Sequence, residues 1–120
     1  MISLKKIGKG LSCSSDLAAE GILKYIKTID DVIALFDSAK GIICLVEDAG
    51  TTTLGPILSD LSGVICTNGG PGSHLAIVSR EFDLPCIMGI DLKKDLDKYD
   101  GKKVRIVTEN DHKGVLYLID

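Results

Sequence analysis

His74 closes a glycine-rich stretch whose residue types suit the handling of a phosphate group. The stretch reads Asn-Gly-Gly-Pro-Gly-Ser-His at residues 68–74, and the chain contains two histidines in 120 residues. The glycines Gly69, Gly70 and Gly72 would let the backbone curl around a tetrahedral anion. No lysine follows where a Walker A loop requires one, so the stretch does not belong to that class of nucleotide loop. The pattern indicates a loop that presents backbone amides beside an imidazole.

The elements on either side place this loop between a strand and a helix. Val64–Thr67 is a short run of strand length, and Ser73 has the side chain of a helix N-cap. A helix is predicted over His74–Phe82, because apolar residues recur there at helical spacing until a proline interrupts the pattern. Its buried face is predicted to consist of Leu75, Val78 and Phe82. Backbone N–H groups are unpaired at a helix start and the dipole is positive there, so an anion would bind well.

The same helix start would tune the reactivity of His74. A positive helix end disfavours the charged imidazolium, so we expect the side chain to be neutral near pH 7. A neutral imidazole is a nucleophile, and the same amides would stabilise the anionic phosphoimidazole that it forms. Ser73 could hold a phosphate oxygen or the neighbouring backbone. From these residues alone, an ordinary surface histidine is the alternative. No metal site is expected, because His112 has only Asp111 beside it.

Strand-like and helix-like patterns alternate through the middle of the chain. The apolar runs of strand length are Gly21–Ile26, Ile42–Val46, Val64–Thr67 and Cys86–Met88. A helix is predicted from the capping residues Thr28–Asp31 to a stop at Gly41, with Val32, Leu35 and Phe36 on one face. Another short helix is predicted through Pro56–Leu61. Three of the strands are apolar throughout, which is typical of a sheet covered on both faces.

The two ends of the chain predict antiparallel β-structure. Lys103–Val107 alternates between apolar and charged residues, and Val115–Ile119 follows it after a polar turn. The chain is predicted to form one α/β domain over residues 1–120, with a mixed sheet and a second β layer.

Composition and charge argue against several classes of function. The net charge is −3, aromatic residues make up 4% and tryptophan is absent, so we expect no nucleic-acid partner. No apolar stretch approaches the roughly 18 residues of a membrane span, so no membrane partner is expected. The N-terminal residues lack the apolar core of a signal peptide. Three of the four cysteines lie in apolar runs, which indicates buried, reduced thiols and a cytoplasmic location.

Residues 69–89 resemble the phosphohistidine signature of the mobile domain of PEP-utilising enzymes. They read Gly-Gly-Pro-Gly-Ser-His-Leu-Ala-Ile-Val-Ser-Arg-Glu-Phe-Asp-Leu-Pro-Cys-Ile-Met-Gly. Gly10–Gly21 is similar to the family's opening strand-turn-strand, and Asp100–Val104 and Gly114–Tyr117 are similar to its closing hairpin. Pyruvate phosphate dikinase, phosphoenolpyruvate synthase and rifampicin phosphotransferase carry this domain. The resemblance implies a single swivelling β/β/α phosphohistidine domain with a mixed sheet.

The resemblance also implies roles for the matching residues. His74 would be the phosphoryl carrier, transiently modified on Nε2, with the phosphate supported by Gly69, Gly70, Gly72 and Ser73. Arg80 matches the family's helix arginine, but it lies six residues after His74, so an ion pair with neighbouring carboxylates stays open beside phosphate binding. A threonine that faces the histidine in the family would be Thr51 or Thr52.

Departures from the family pattern concern the surroundings of the histidine. The proline of the family's threonine segment is displaced here to Pro56, and Leu75 stands where a small or polar residue is usual. We expect these two changes to alter the partner surface that docks near His74.

A chain of this size has no room for a nucleotide-binding or PEP-binding domain. The resemblance therefore implies that Mg²⁺ and ATP or PEP belong to a partner, and that this domain itself binds no cofactor. The expected partners are an ATP-grasp nucleotide-binding domain or subunit, a PEP- or acceptor-binding one, or both. The chain is then a phosphoryl-carrier component of a phosphotransferase rather than a complete enzyme. The alternative is a non-catalytic regulatory or binding module that retains the swivel fold.

Overall fold

The computed structural model describes residues 4–12, 18–26, 29–35, 38–48, 57, 60–68, 74–92, 96–108 and 113–119. The strands in these ranges are β1 (Leu4–Ser12), β2 (Ala18–Tyr25), β3 (Ile42–Asp48), β4 (Gly63–Asn68), β5 (Cys86–Leu92), β6 (Lys103–Thr108) and β7 (Lys113–Ile119). The α-helices in the same ranges are α1 (Ile29–Ile33) and α2 (His74–Glu81), and a short 3-10 helix spans Leu96–Tyr99.

The described strands close into one barrel in the order β1-β5-β4-β3-β2-β6-β7, with β7 paired to β1. The neighbours β2, β3, β4 and β5 run parallel, and the other pairs are antiparallel. The predicted mixed sheet is therefore confirmed. The predicted second β layer is joined to the first sheet as the other wall of the barrel, because β6 pairs with β2 and β1 pairs with β5.

The central strands are buried on both faces, as their unbroken apolar sequences predicted. Ile43 and Leu45 of β3 belong to the cluster inside the barrel, which also contains Ile65 and Ile87. The alternate residues of the same strands face a second cluster, which lies beneath the helices. That second cluster includes Cys44, Val46, Val64, Cys66, Cys86, Met88, Val32, Leu35 and Ala76.

A cross-strand ion pair joins the antiparallel part of the wall. Arg105 and Glu20 lie opposite each other on β6 and β2, and the Arg105 Nε donates a hydrogen bond of 2.8 Å to the Glu20 carboxylate. This bond lowers the pKa of Glu20 below its ordinary value, more than the small burial of that carboxyl raises it. The pair supports the β2–β6 contact that closes the barrel.

The first helix is shorter than the capping pattern predicted. It ends at Ile33, and the chain continues through tight turns in which Leu35 and Ser38 donate to carbonyls three residues earlier. Gly41 then takes a left-handed φ of 79° before β3. Val32 and Leu35 are buried as predicted, and Phe36 lies outside the described residues. Of the segment 56–61, predicted as a helix, residues 56, 58 and 59 also lie outside them.

The buried face of α2 differs from the prediction. Ala76 and Ser79 are fully buried and Val78 is partly buried, whereas Phe82 is 51% exposed. The prediction for Phe82 was wrong because the helix ends before it. Asp83 adopts a left-handed φ of 51°, and the N–H groups of residues 83 and 84 donate to the carbonyls of Arg80 and Ser79.

These two hydrogen bonds form a Schellman cap, which reverses the chain after α2. The cap brings Leu84 into the core, where it is 5% exposed. The side chain of Leu75 is outside the described part of the structure.

Candidate functional site

The start of α2 is the part of the candidate site that the structure describes. The helix begins at His74, the first helical position that the sequence predicted. The side chain of His74 and the predicted phosphate-contacting residues lie outside the described residues; the latter are Gly69, Gly70, Gly72, Ser73, Thr51 and Thr52. Arg80 is described, in the last turn of α2, with an exposed side chain.

Parallel pairing brings the ends of β3 and β4 to one edge of the barrel. Asp48, the last residue of β3, lies opposite Asn68, the last residue of β4. In the sequence, the segment with Thr51 and Thr52 follows Asp48, and the glycines of the candidate site follow Asn68. The two strands that precede these segments are therefore neighbours, with their carboxyl ends at the same edge.

No acidic side chain in the first turn of α2 offsets the positive end of the helix dipole. That turn contains no acidic residue, and the basic residue of the helix, Arg80, lies in the last turn. Both features leave the positive end of the dipole available to a negative group. Arg80 lies six residues after His74, about 9 Å further along the helix axis. Within α2 it therefore complements the negative end of the dipole.

Small residues hold α2 close to the sheet. Ala76 lies in the outer core cluster together with Cys66, Cys86 and Met88. Ser79 is fully buried on the same helix, three residues later. Side chains of this size let the helix axis approach the strands closely.

The end of β4 contains a contact that the sequence did not predict. The Cys66 thiol donates a hydrogen bond of 2.7 Å to the carbonyl oxygen of Asn68. This bond ties the end of β4 to a fully buried side chain, directly before the glycine-rich stretch. The sequence predicted Cys66 only as a buried apolar residue. The signal that could have revealed the contact is that Cys66 lies two residues before the end of the strand.

A polar pair at the same edge was also missed. The Tyr25 hydroxyl donates to the Glu47 carboxylate, and the Tyr25 backbone N–H donates to Asp100 Oδ1 at 3.0 Å. Tyr25 ends β2 and Glu47 is the penultimate residue of β3, so both stand near the carboxyl ends of neighbouring parallel strands. Polar residues at the ends of two apolar runs were the available signal.

The described cysteines agree with the prediction of buried thiols. Cys44, Cys66 and Cys86 are buried thiols, and burial raises the pKa of the Cys44 thiol to about 12. Cys13 is outside the described ranges. In the part of the chain that is described, no three His, Cys, Asp or Glu side chains gather as they would around a metal ion. None of the described helices is both long and apolar enough to cross a membrane.

Comparison with protein families gives one match over more than half of the chain. Residues 44–110 match the family described as PEP-utilising enzyme, mobile domain. The matched region begins in β3 and contains β4, α2, β5 and β6, so it includes every predicted site residue from Thr51 to Arg80.

Two curated proteins resemble this chain over most of its length. A probable phosphoenolpyruvate synthase of Methanothermobacter thermautotrophicus is 32% identical over 111 residues, which cover 91% of this chain and 15% of that protein. Rifampicin phosphotransferase of Bacillus cereus is 29% identical over 97 residues, which cover 81% of this chain and 10% of that protein. The chain thus spans a small part of the length of both relatives, which contain other regions besides the one matched here.

Solved structures with a similar fold exist, and one of them illustrates the likeness. The muramoyltetrapeptide carboxypeptidase of Oxalobacter formigenes superposes with a TM-score of 0.58 over 98% of this chain and 50% of that one. The sequence identity is 14%, so the likeness concerns the arrangement of the backbone alone.

Proposed function

We propose, from the premise that this chain belongs to the family of PEP-utilising enzyme mobile domains, that it carries a phosphoryl group on His74. The family resemblance expected from residues 69–89 is confirmed by the match. The proposed carrier takes the group from a nucleotide- or PEP-binding site on a partner and delivers it to an acceptor site. The domain is proposed to comprise residues 1–120 and to swivel between these sites.

The observation that supports this proposal most directly is the position of His74 as the first residue of α2. The first residue of a helix lies at the positive end of the helix dipole. That end favours the neutral imidazole before transfer and the anionic phosphoimidazole after it. One backbone geometry therefore serves the empty and the loaded carrier.

The proposed transfer is an in-line displacement at phosphorus. The lone pair of His74 Nε2 forms the new N–P bond while the bond between phosphorus and the donor oxygen breaks, and that oxygen keeps the electron pair. Mg²⁺ on the partner would neutralise charge on the donor. Transfer to the acceptor reverses these roles, because the acceptor oxygen attacks phosphorus and the imidazole leaves.

The neighbouring residues are proposed to position the phosphoryl group. The amides of Gly69, Gly70 and Gly72 and the hydroxyl of Ser73 would hold its oxygens. Thr51 or Thr52 would reach the same group from the segment after β3, and β3 pairs with β4. For Arg80, phosphate binding and an ion pair with neighbouring carboxylates are both kept as proposals, and its place in the last helical turn favours the ion pair.

The proposed partners follow from how much of each relative this chain matches. The matched region covers 15% and 10% of the two relatives, so both contain other regions that support a role for partner domains. We propose an ATP-grasp domain or a PEP- or acceptor-binding domain as the partner, with Mg²⁺ and ATP or PEP bound there. The chain would then act in the cytoplasm as a component of a phosphotransferase.

Phosphoryl transfer in solution tests the proposal. The purified chain is incubated with ³²P-labelled ATP or PEP and with the ATP-grasp or PEP-binding protein encoded beside its gene. The expected product is a labelled chain whose phosphoryl group is lost in acid and stable in base. His74→Ala should abolish the label, and His112→Ala should retain it.

Two results would contradict the carrier role. Label that persists in His74→Ala would assign the phosphoryl group to another residue. An unlabelled chain whose His74 titrates by NMR like a free imidazole and ignores phosphate would favour the non-catalytic module instead.

A further inference from the structure

A cleft of about 420 Å³ lies on the barrel wall where β1 meets β7, and we name it the β1–β7 cleft. The described residues that line it include three lysines, Lys6, Lys9 and Lys113, and one carboxylate, that of Asp91. The chain as a whole has a net charge of −3, so this surface has the opposite sign to the rest of the molecule. A concentration of one charge around a concave surface attracts groups of the other charge.

The floor of the cleft is apolar. Leu11 is 48% exposed, an unusually open position for a leucine in a strand, and Val115 is partly exposed beside it. The backbone of the paired residues Gly10 and Gly114 also lines the cleft. The surface therefore combines an exposed apolar centre with a basic rim, which is the composition of a protein-binding patch.

The backbone of this region already pairs with neighbouring strands of the sheet. β1 pairs with β5 on one side and with β7 on the other, and Lys9 lies opposite both Asp91 and Val115. Its amides therefore offer no cradle of the kind that binds an isolated phosphate. The positive charge sits on flexible lysine stems, which suit carboxylates spread over a surface rather than one chelated anion.

We propose that the β1–β7 cleft docks an acidic segment of a partner protein. An apolar side chain of that segment would lie on Leu11 and Val115, with carboxylates on either side facing the three lysines. This inference is independent of the phosphoryl-carrier proposal, because none of the described residues that line the cleft is among those proposed to carry or hold the phosphoryl group.

Protein is favoured over nucleic acid as the partner because the basic surface is small. Three lysines border the cleft and Asp91 interrupts them, while the chain beyond the cleft is acidic. A polyanionic backbone that extended past the cleft would meet repulsion. A short acidic segment avoids it.

The test uses NMR titration of the ¹⁵N-labelled chain with the peptide acetyl-Glu-Glu-Leu-Val-Glu-Glu-amide. The expected result is a set of shift changes centred on Leu11 and Val115, with an affinity that falls at least tenfold between low and high salt. The variant K6E/K9E/K113E should bind at least tenfold more weakly. The control K40E/K98E/K102E changes the net charge equally at exposed sites outside the cleft and should bind within twofold of the parent.

The outcomes that would overturn the proposal are equally specific. They are equal binding of a peptide with Gln in place of every Glu, the same shift changes with sodium phosphate alone, or tighter binding of a single-stranded oligonucleotide at the cleft. Shift changes confined to α2, or none, would also overturn it. If K6E/K9E/K113E does not fold, K6Q/K9Q replaces it, and an affinity unchanged in that variant would contradict the proposal.

Discussion

Ser79 is an unusual residue in the helix that begins at His74. It is fully buried, and its hydroxyl has no hydrogen-bond partner among the residues that the structure describes. Burying a hydroxyl without a partner costs on the order of 1–3 kcal/mol. Native proteins keep few such groups, so this one marks a position where an apolar side chain would suit the packing better.

Replacing Ser79 with alanine is therefore expected to stabilise the fold. Ser79→Ala removes the unpartnered hydroxyl and improves helix propensity, so the free energy of unfolding should rise by about 1 kcal/mol. Urea denaturation followed by circular dichroism measures the change. Ser38→Ala is the matched control, because Ser38 is exposed and its hydroxyl makes one long bond of 3.4 Å to the Ala34 carbonyl; its effect should stay within about 0.5 kcal/mol. A loss of stability in Ser79→Ala would show that the hydroxyl has a stabilising partner.

The sequence predicted the start of this helix better than its buried face. A serine before an apolar run is a clear N-terminal signal, and α2 does begin at His74. Ala76 and Ser79 gave no apolar signal, because small side chains are as frequent on exposed as on buried faces. The Asp83 turn was also invisible, since glycine is the usual residue in a left-handed helix cap.

At the scale of single elements, β1 is the strand whose pairing is irregular on both sides. Its pairing shifts register twice, between Lys6 and Gly8 on the β7 side and between Lys9 and Leu11 on the β5 side. Such bulges bend a strand and increase its twist, which lets one strand pair with two neighbours in a closing barrel. Gly10 adds a close approach to β5 within the same strand.

Gly10→Ala should destabilise the barrel at this contact. A Cβ at Gly10 would lie 2.7 Å from the Met88 carbonyl oxygen and 3.0 Å from the Ile90 Cα, and backbone atoms cannot rotate away. We expect a loss of about 2–3 kcal/mol, seen as a lower urea midpoint. In the control Gly63→Ala, the nearest atom is the Cδ1 of Ile106, the far end of a side chain that can move, so a loss of about 1 kcal/mol or less is expected. Equal losses in the two variants would contradict this explanation.

Sequence patterns predicted the local elements of the sheet but not its closure. The apolar runs around Ile43, Ile65 and Ile87 indicated buried strands, and each lies in a strand of the structure. Closure depends on pairs such as Glu20 with Arg105 and Lys9 with Val115, which are far apart in the chain. Periodicity says nothing about which distant strands become neighbours, so two layers and one barrel were indistinguishable from sequence.

At the scale of the whole molecule, the two apolar clusters make the central strands the most protected part of the chain. Cys44, Cys66 and Cys86 have no exposed surface there. The pKa of the Cys44 thiol, raised to about 12, keeps it protonated across the physiological range. Their chemical reactivity therefore reports on opening of the barrel.

These three thiols are expected to resist a thiol reagent such as DTNB at pH 8 until the protein unfolds. The measurement uses Cys13→Ser, so that the described cysteines are the thiols that remain, and follows the reaction as urea increases. Reactivity should rise together with the loss of circular dichroism, because exposure requires global opening. Reaction within the native baseline would reveal local opening of β3, β4 or β5.

The raised pKa of Cys44 also gives this core a pH dependence. The unfolded thiol ionises near its ordinary pKa of 9.0, whereas the folded thiol holds its proton to about 12. The stabilising contribution is complete below pH 9 and is lost progressively between about pH 9 and 12.

The pairing of β1 with β7 determines how the barrel would respond to mechanical force. Leu4 lies opposite Ile119 at one end of this antiparallel ladder, and Leu11 lies opposite Lys113 at the other. A force applied to the chain beyond Leu4 and Ile119 would pull at right angles to the two strands and load their hydrogen bonds one after another, starting from that pair. The barrel would therefore unzip along one seam at low force instead of shearing all its bonds at once.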